Sequence, residues 1–321
     1  MLRALWLASR PKTLSAGLAP VVVGAALALA AQSSLGVEVF APDVAVAALL
    51  GALLIQIATN YANDLLDFRR GADTEERLGP LRVTQAGLLS QRAVAISTAV
   101  VFALAAVVGL YIVWRAGWPG GRPILLIGVA GILSGILYTA GPFPLAYVGL
   151  GDLFVLLFFG IAAVAGTYYA QVEAQTVALA ATIGLSWMPR ALALGVSVGA
   201  LSMAILNINN LRDIEGDRAV GKRTMAVRLG ADRTRIYYEA LIAISFFIPL
   251  AMVAMHLLGP AVILVLGAVP LALEPARRVR AGVSGRALNP ILGQTARLQL
   301  AHALLLSLGL VVDALAMGWI G

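Results

Sequence analysis

The sequence predicts an all-α, polytopic membrane protein. Of its 321 residues, 60% are hydrophobic and only 12% are charged, and the mean hydropathy is +0.91. Soluble domains carry about a quarter charged residues. The apolar residues also fall into separate runs close to the roughly 20 residues that a membrane-spanning helix needs. These observations argue against a soluble domain and favour a bundle of membrane helices.

Nine such apolar runs follow one another along the chain, and Gly and Pro mark several of the breaks between them. We expect spans at 14–32, 44–63, 93–114, 123–140, 148–170, 190–208, 237–257, 260–274 and 298–318. The run at 260–274 is the shortest. We expect a single transmembrane domain over 1–321, with cytosolic loops at about 64–92, 209–236 and 275–297.

The first run needs a separate decision because early positive charges before an apolar stretch also occur in signal peptides. Arg10 and Lys12 lie far from the start, however, and further spans follow. We therefore expect an uncleaved first helix.

Positive charge predicts the orientation of the bundle. If the N-terminus lies inside and the connections alternate, only Arg115, Arg122 and Arg190 of the 23 Lys and Arg residues lie outside. Cytosolic loops of membrane proteins carry this kind of excess. The sequence thus predicts an N-in, C-out chain. Because the net charge of +7 is explained by loops that flank spans, we expect no nucleic-acid partner.

Several chemistries are disfavoured by composition. The chain has no cysteine, which removes disulfides, thiol catalysis and cysteine metal sites. Its two histidines, His256 and His302, stand alone in apolar runs. We interpret both as packed helix residues, which argues against a histidine metal site or a Ser-His-Asp triad.

The end of the second span carries a cluster of polar residues. Asn60, Asn63, Asp64 and Asp67 recur at helical spacing of three and four, so they share one face of a helix that Gly71 ends. Carboxylates close to the apolar region are costly and normally face a cavity with partners. Grouped oxygen ligands of this kind suit Mg²⁺, which binds one or two carboxylates together with substrate phosphate.

A second cluster of the same kind follows the sixth span. Asn209, Asp213 and Asp217 recur every four residues, again on one helix face. Both clusters contain Asn and two Asp at the cytosolic end of an apolar helix, followed by Gly and then Arg or Lys. The repetition predicts two similar units that meet across the bundle.

A diphosphate ligand would explain why the sequence contains two such clusters. Carboxylates with Mg²⁺ could hold both phosphates of a diphosphate, and four cations could neutralise its oxygens: Arg77, Arg82, Lys222 and Arg223. Metal ions and cations on a leaving diphosphate promote departure of the attached carbon chain. An isoprenoid chain could lie among the helices or in membrane lipid.

At this point the sequence resembles the UbiA-type intramembrane prenyltransferases, and within them the 1,4-dihydroxy-2-naphthoate prenyltransferases of menaquinone synthesis. The resemblance covers nearly the whole chain. It rests on "RPKTLSAGLAPVVVG" (10–24), "NDLLDFRRGADTEERLGPLRVTQAG" (63–87), "YTAGPFPLAYVGLGDLFVLLFFG" (138–160), "NNLRDIEGDRAVGKRTMAVRLG" (209–230) and "LNPILGQTARL" (288–298). The "GPLRVTQ" and "GKRTMAVRLG" blocks are more specific than the aspartates.

The resemblance implies a nine-helix bundle with a central cavity open to lipid, in the cell membrane, with its active site facing the cytosol. It implies Mg²⁺-dependent transfer of a polyprenyl group from polyprenyl diphosphate to 1,4-dihydroxy-2-naphthoate, with loss of CO₂ and diphosphate, towards demethylmenaquinone. By motif, one metal and diphosphate site contains Asn63, Asp64 and Asp67.

The second site implied by the resemblance contains Asn210, Asp213 and Asp217, with Arg82, Lys222 and Arg223 as phosphate ligands. In the wider superfamily a third aspartate often follows Asp67 by four residues. Here Gly71 occupies that place, and Asp73 lies nearby at a different spacing, so its part as a ligand stays open.

Residues for the rest of the reaction are predicted more loosely. Aromatic faces stabilise a developing allylic cation, and the candidates near the cytosolic helix ends are Tyr61, Tyr138, Phe143 and Tyr147. Lys12 and Arg10 are candidates for a position near the acceptor carboxylate, although nothing in their spacing requires it.

Two alternatives stay open. A sister prenyltransferase would act on hydroxybenzoate, homogentisate, haem or a chlorophyll precursor, against which the "GPLRVTQ" block argues. A transporter would place polar residues at broken helices near the midplane of the membrane. Here the acids lie at cytosolic helix ends, and span interiors such as 93–113 carry no charge.

Overall fold

The computed structural model describes residues 1–71, 78–79, 81–139, 144–175, 182 and 184–318. Within these ranges every regular element is helical, so the predicted all-α fold class is confirmed. The described helices are α1 (Leu2–Ala8), α2 (Ser15–Leu35), α3 (Pro42–Arg69), α4 (Gln91–Ala116), α5 (Gly121–Leu137), α6 (Gly151–Glu173), α7 (Met188–Arg212), α8 (Ile214–Ala219), α9 (Met225–Ala254), α10 (Pro260–Arg280) and α11 (Asn289–Gly318).

The predicted apolar runs each overlap one long helix. In the described part of the chain, eight helical stretches are long and apolar enough to cross a membrane, and α5, with 17 residues, is a shorter apolar helix. The short run at 260–274 belongs to the 21-residue α10, which extends into a basic end. The count of nine spans and the N-in orientation stay predictions.

Local sequence explains where several helices begin. Pro42 occupies the first turn of α3, where no backbone N–H is needed for the helix. Ser90 caps α4 by accepting a hydrogen bond from the Ala93 amide (3.2 Å), and Thr224 caps α9 in the same way through the Val227 amide (3.3 Å). These caps fix the helix ends at the same end of the bundle as the two acid clusters.

The core of the bundle is built around α7, the most buried of the candidate spans, whereas α4 is the least buried. Leu194, Leu201 and Ile208 of α7 are fully buried, and α9 and α11 pack against this helix. His302 of α11 is also fully buried and lies 3.0 Å from the Ser245 carbonyl, which confirms its interpretation as a packed residue.

The other histidine differs from its prediction. His256 is exposed and has a positive φ of 56° in the turn after α9, so the expectation that it packs within a helix is wrong. The apolar run continues past the helix there, and hydropathy alone does not reveal the turn.

Helices α6 and α7 approach each other very closely. A Cβ atom at Gly160 would lie 2.6 Å from the Gly195 carbonyl oxygen and 2.7 Å from the Gly199 Cα atom, so glycine is required at this crossing. The contact falls within a π-helical turn of α6, Leu157–Ala162. This approach sets the middle of α6 against the first half of α7, whereas the candidate site lies at the last turn of α7.

Candidate functional site

The two acid clusters line one cavity of about 550 Å³, which we call the polar cavity. The end of α3 contributes Asn60, Asn63 and Asp67 to its wall. The end of α7 and the short α8 contribute Asn209, Asn210, Asp213 and Asp217. The structure therefore brings together the two motifs that the sequence analysis paired.

Asp67 is the centre of the first cluster. Its side chain is buried, and its Oδ2 atom accepts a hydrogen bond from the Arg82 guanidinium at 2.6 Å. Its other oxygen, Oδ1, is buried without a hydrogen-bond partner among the residues the structure describes. Asn63 lies one turn earlier and accepts a hydrogen bond from the Thr139 hydroxyl at 2.6 Å. Asp67 thus has an oxygen available beside a buried cation.

Asp64 has a different environment from the one the motif predicts. It is 1% exposed and does not line the polar cavity. Its two oxygens accept hydrogen bonds from the amides of Val83 and Thr84, each at 3.0 Å, and from the Thr84 hydroxyl. In this structure Asp64 holds the segment that carries Arg82.

The second cluster is organised by Arg212. This buried guanidinium contacts both oxygens of Asp213, with Nε 2.8 Å from Oδ1, and it also donates to Asn209 (2.7 Å) and Asn289 (2.9 Å). The Asn289 amide in turn donates to the Leu78 carbonyl oxygen at 3.0 Å. Asn289 therefore connects the second cluster to the segment that follows the first.

Sequence reasoning missed both Arg212 and Asn289. Arg212 was counted only as an orientation charge, and Asn289 appeared only inside a block that carried the resemblance. An arginine just inside the end of an apolar helix, beside an aspartate, was the available signal.

Asp217 and Lys222 form the outer part of the second cluster. The Lys222 ammonium lies 3.8 Å from Asp217 Oδ1 and 4.7 Å from the centre of the Tyr147 ring. Burial raises the pKa of Asp217 to about 6, Lys222 opposes this rise, and the carboxylates of Asp213 and Asp67 add to it. Because Asp67 belongs to the first cluster and Asp213 and Asp217 to the second, the carboxylates of the two clusters repel one another across the cavity.

Other predicted residues lie elsewhere. Arg223 is exposed and does not line the cavity; its backbone amide donates to the Tyr147 carbonyl oxygen at 2.9 Å. Tyr147 does not line the cavity, and the cationic groups of Arg70 and Lys222 lie over its ring. Tyr61, on α3, packs against α1, and its hydroxyl donates to the Leu5 carbonyl oxygen at 3.0 Å. Lys12 is exposed and lines neither cavity.

Three predicted positions, Arg77, Asp73 and Phe143, lie outside the described residues.

Two further ionisable residues line the polar cavity. Arg10 extends from the turn between α1 and α2, and the buried Asp152 lies at the start of α6, where its Oδ1 atom accepts a hydrogen bond from the Tyr237 hydroxyl at 3.3 Å. Sequence reasoning weighed Arg10 but missed Asp152, which stands alone in its run without a motif partner.

An apolar cavity of about 360 Å³ adjoins the polar one. It lies among α2 to α6 and is lined almost entirely by aliphatic, glycine and phenylalanine residues. The two cavities share Thr59, Tyr138, Val155 and Phe159 in their walls, so Tyr138 lies at their junction.

The donor set limits what metal could bind. Among the described residues, no group of three or more His, Cys, Asp or Glu side chains converges. The polar cavity instead offers carboxylates in ones and twos with neighbouring Asn side chains. This set suits Mg²⁺, which keeps several waters and takes its remaining ligands from phosphate, and does not suit a metal held by a complete protein cage.

The sequence of the chain is similar to those of known prenyltransferases. Residues 17–287 match the UbiA prenyltransferase family. The chain is 37% identical to 1,4-dihydroxy-2-naphthoate octaprenyltransferase of Mycobacterium tuberculosis, over 97% of this chain and 96% of that protein. It is 35% identical to the protein of the same name from Haemophilus influenzae, over 96% and 95% of the two chains.

Solved structures agree on the fold. A UbiA homolog from Aeropyrum pernix superposes with a TM-score of 0.67 at 17% identity, over 92% of this chain and 97% of that one. A UbiA homolog from Archaeoglobus fulgidus, bound to DMAPP and Mg²⁺, superposes with a TM-score of 0.59 at 17% identity, over 94% and 99%.

Proposed function

The chain belongs to the UbiA prenyltransferase family, and we propose that it transfers a polyprenyl group from polyprenyl diphosphate to 1,4-dihydroxy-2-naphthoate. The new bond joins the first carbon of the prenyl chain to the naphthalene ring. Diphosphate leaves with the electron pair of the broken C–O bond, and the acceptor carboxylate leaves as CO₂. The product is the reduced form of demethylmenaquinone. The names of full-length relatives at 35–37% identity support this acceptor.

The observation that carries the proposal is the union of both acid clusters in one polar cavity that adjoins an apolar one. A substrate with a diphosphate head and an isoprenoid tail needs both environments next to each other. In the proposed complex the diphosphate lies between α3 and α7, and the tail lies in the apolar cavity.

We assign the diphosphate clamp to residues that line the polar cavity near its acids. Asp67, Asp213 and Asp217 would hold divalent cations, of which Mg²⁺ fits the oxygen donors best. The buried, unpartnered Oδ1 atom of Asp67 supports this assignment. Bound cations would supply Lewis acidity that stabilises the departing diphosphate.

The surrounding side chains complete the clamp. Arg82 and Lys222 would neutralise phosphate oxygens, and Asn63, Asn209 and Asn210 would orient the head group. Asn60 lines the same wall, but its amide already holds the Ser9 carbonyl. Asp73, Arg77 and Arg223 stay predictions as further ligands.

The junction between the cavities is where the bond forms in this proposal. Loss of diphosphate leaves positive character on the first prenyl carbon, and Tyr138 and Phe159 line both cavities at the junction where that carbon would lie. Aromatic faces attract cations, more strongly where water is excluded. These rings would stabilise the allylic carbon until the electron-rich naphthalene ring attacks it.

We further propose a single transmembrane domain in the cell membrane, N-in and C-out, with the polar cavity facing the cytosol and lipid in contact with the bundle. The lopsided distribution of Lys and Arg supports this orientation.

The experiment is mass spectrometry of the products made by purified protein in detergent with Mg²⁺. Several prenyl diphosphates are offered with 1,4-dihydroxy-2-naphthoate, and in parallel with hydroxybenzoate and homogentisate. We expect a prenylated, decarboxylated naphthalene product that disappears with EDTA. A prenylated hydroxybenzoate or homogentisate without the naphthalene product would contradict the assigned acceptor.

A further inference from the structure

The turn between α1 and α2 is fastened to α3 on both sides of Arg10. The Asn60 amide donates to the Ser9 carbonyl oxygen at 2.9 Å, and the Gln56 amide donates to the Thr13 carbonyl oxygen at 2.6 Å. Residues 56 and 60 are one helical turn apart and therefore lie on the same face of α3. Two buried or half-buried amide groups are thus used to fix one short piece of backbone.

Arg10 itself has an unusual backbone conformation. Its φ of 54° and ψ of 64° place it in the left-handed region, which arginine rarely adopts. A conformation of this kind persists only where the surroundings determine it, and it often marks a functional position. The two hydrogen bonds to the flanking carbonyls provide that determination, so the direction in which Arg10 leaves the chain is imposed by the fold.

The imposed direction takes Arg10 into the wall of the polar cavity, together with Thr13, Gln56 and Asn60. This part of the wall begins one helical turn before Asn63 and lies further from Asp67, the clamp acid on α3. Asn60 and Asp67 are seven residues apart on α3, which corresponds to about 10 Å along the helix axis. Arg10 is also near the cavity junction, because Asn60, which holds the Ser9 carbonyl, is the neighbour of Thr59, which lines both cavities.

The cations that line the cavity fall into two groups, those beside the clamp acids and Arg10. Arg82 and Lys222 lie beside clamp acids, at 2.6 Å from Asp67 and 3.8 Å from Asp217. Arg10 lines the cavity with Thr13, Gln56 and Asn60, beside the junction where the prenyl carbon would meet its acceptor in the proposed reaction. The second anionic group in the proposed reaction is the carboxylate of that acceptor, and a guanidinium matches a carboxylate with two parallel hydrogen bonds.

We propose that Arg10 binds the carboxylate of the naphthoate acceptor and orients its ring towards the first prenyl carbon at Tyr138. This inference rests on the proposed function. Arg10 acts as a specificity residue: it favours an acceptor with a carboxylate beside its hydroxyl groups over the same ring without one. The fastened turn keeps the cation in place before the acceptor arrives, which reduces the entropic cost of binding.

Steady-state kinetics of purified protein test this assignment. The variants are Arg10→Ala and Arg10→Lys, and Arg3→Ala is the control because Arg3 is an exposed cation of the same N-terminal segment. The KM for 1,4-dihydroxy-2-naphthoate and the KM for prenyl diphosphate are measured separately. Inhibition by 1,4-dihydroxynaphthalene, which lacks the carboxylate, is measured in every variant.

For Arg10→Ala we expect the naphthoate KM to rise about 10- to 100-fold, the range for a lost charged hydrogen bond. The KM for prenyl diphosphate and the inhibition constant of the diol should stay within about twofold, and Arg10→Lys should fall between the alanine variant and wild type. Arg3→Ala should match wild type. In the wild type the naphthoate should bind at least about 10-fold more tightly than the diol.

The outcomes separate the two proposals. If the wild type transfers no prenyl group to the naphthoate, the proposed function fails. If it does, but Arg10→Ala leaves the naphthoate KM unchanged or raises both KM values equally, only the assignment of Arg10 is overturned. If Arg10→Ala does not fold, the lysine variant and the wild-type preference for naphthoate over diol decide, and equal binding of the two ligands overturns the assignment.

Discussion

Asp64 and Asp67 stand three residues apart in one motif, but they have different surroundings in the structure. Asp67 faces the polar cavity with one oxygen on Arg82 and the other available. Asp64 uses both oxygens to hold the backbone of Val83 and Thr84. The motif therefore combines one residue that would bind a cation with one that positions the Arg82 segment.

This division can be tested by a Mg²⁺ titration of prenyl transfer. In Asp67→Asn we expect the Mg²⁺ concentration for half-maximal rate to rise about 10-fold or more, because a charged ligand is lost. In Asp64→Asn we expect the maximal rate to fall about 10- to 100-fold without that shift, because Arg82 is displaced while the ligands remain. The exposed Glu215→Gln serves as control. A shifted Mg²⁺ requirement in Asp64→Asn would show that Asp64 binds the metal directly.

At the level of helices, the start of α11 joins the two halves of the site. Asn289 accepts from Arg212 on α7 and donates to the Leu78 carbonyl oxygen, close to the segment that carries Arg82. One side chain thus connects the second acid cluster to the segment that follows the first.

Substitutions at Asn289 separate its two contacts. Asn289→Asp keeps an oxygen for Arg212 but has no N–H for Leu78, and Asn289→Ala loses both. We expect the KM for prenyl diphosphate to rise about threefold to tenfold in the aspartate variant and further in the alanine variant, since each lost hydrogen bond costs about 1 kcal/mol. Equal kinetics in wild type and both variants would remove Asn289 from the site.

Part of the candidate site could be predicted from the sequence. Helical spacing predicted that Asn60, Asn63, Asp64 and Asp67 share one helix face, and that Asn209, Asp213 and Asp217 share another. The structure lines one cavity with all of these except Asp64, which holds the amides of Val83 and Thr84 instead. The second set does not share one helix, because α7 ends at Arg212 and Asp217 lies on α8. Spacing within a helix could not show what lies opposite. Asp152, Asn289 and Arg10 enter the site from other helices and turns, and only tertiary packing brings them there.

For the whole molecule, membrane orientation determines which solution reaches the polar cavity. The chain has no native cysteine, so single cysteines report accessibility without background. Ser34, at the end of α2, and Ser284, between α10 and α11, are both exposed and nearly isosteric with cysteine. The N-in prediction places Ser34 outside and Ser284 inside.

Labelling with a membrane-impermeant maleimide checks this orientation. In spheroplasts we expect Ser34→Cys to react at once and Ser284→Cys to react only after permeabilisation. The reverse pattern would place the polar cavity on the outer side of the membrane, and the positive charge of the loops would then need another explanation.

The junction of a polar and an apolar cavity also predicts how the whole bundle limits its substrate. Gly128 of α5 lines the apolar cavity, and a Cβ atom there would meet nothing within 4 Å. Gly128→Phe should therefore fill tail space without forcing the helices apart, whereas Ala130→Phe, on the exposed face of α5, should not.

We expect Gly128→Phe to favour short over long prenyl diphosphates by about 10-fold or more when both compete for the naphthoate, with Ala130→Phe close to wild type. Each methylene that can no longer be buried costs about 0.8 kcal/mol, so exclusion of two or more is enough for that factor. Product ratios from mass spectrometry measure the effect. An unchanged ratio in Gly128→Phe would mean that the tail leaves the junction by another route between the helices and that this cavity does not hold it.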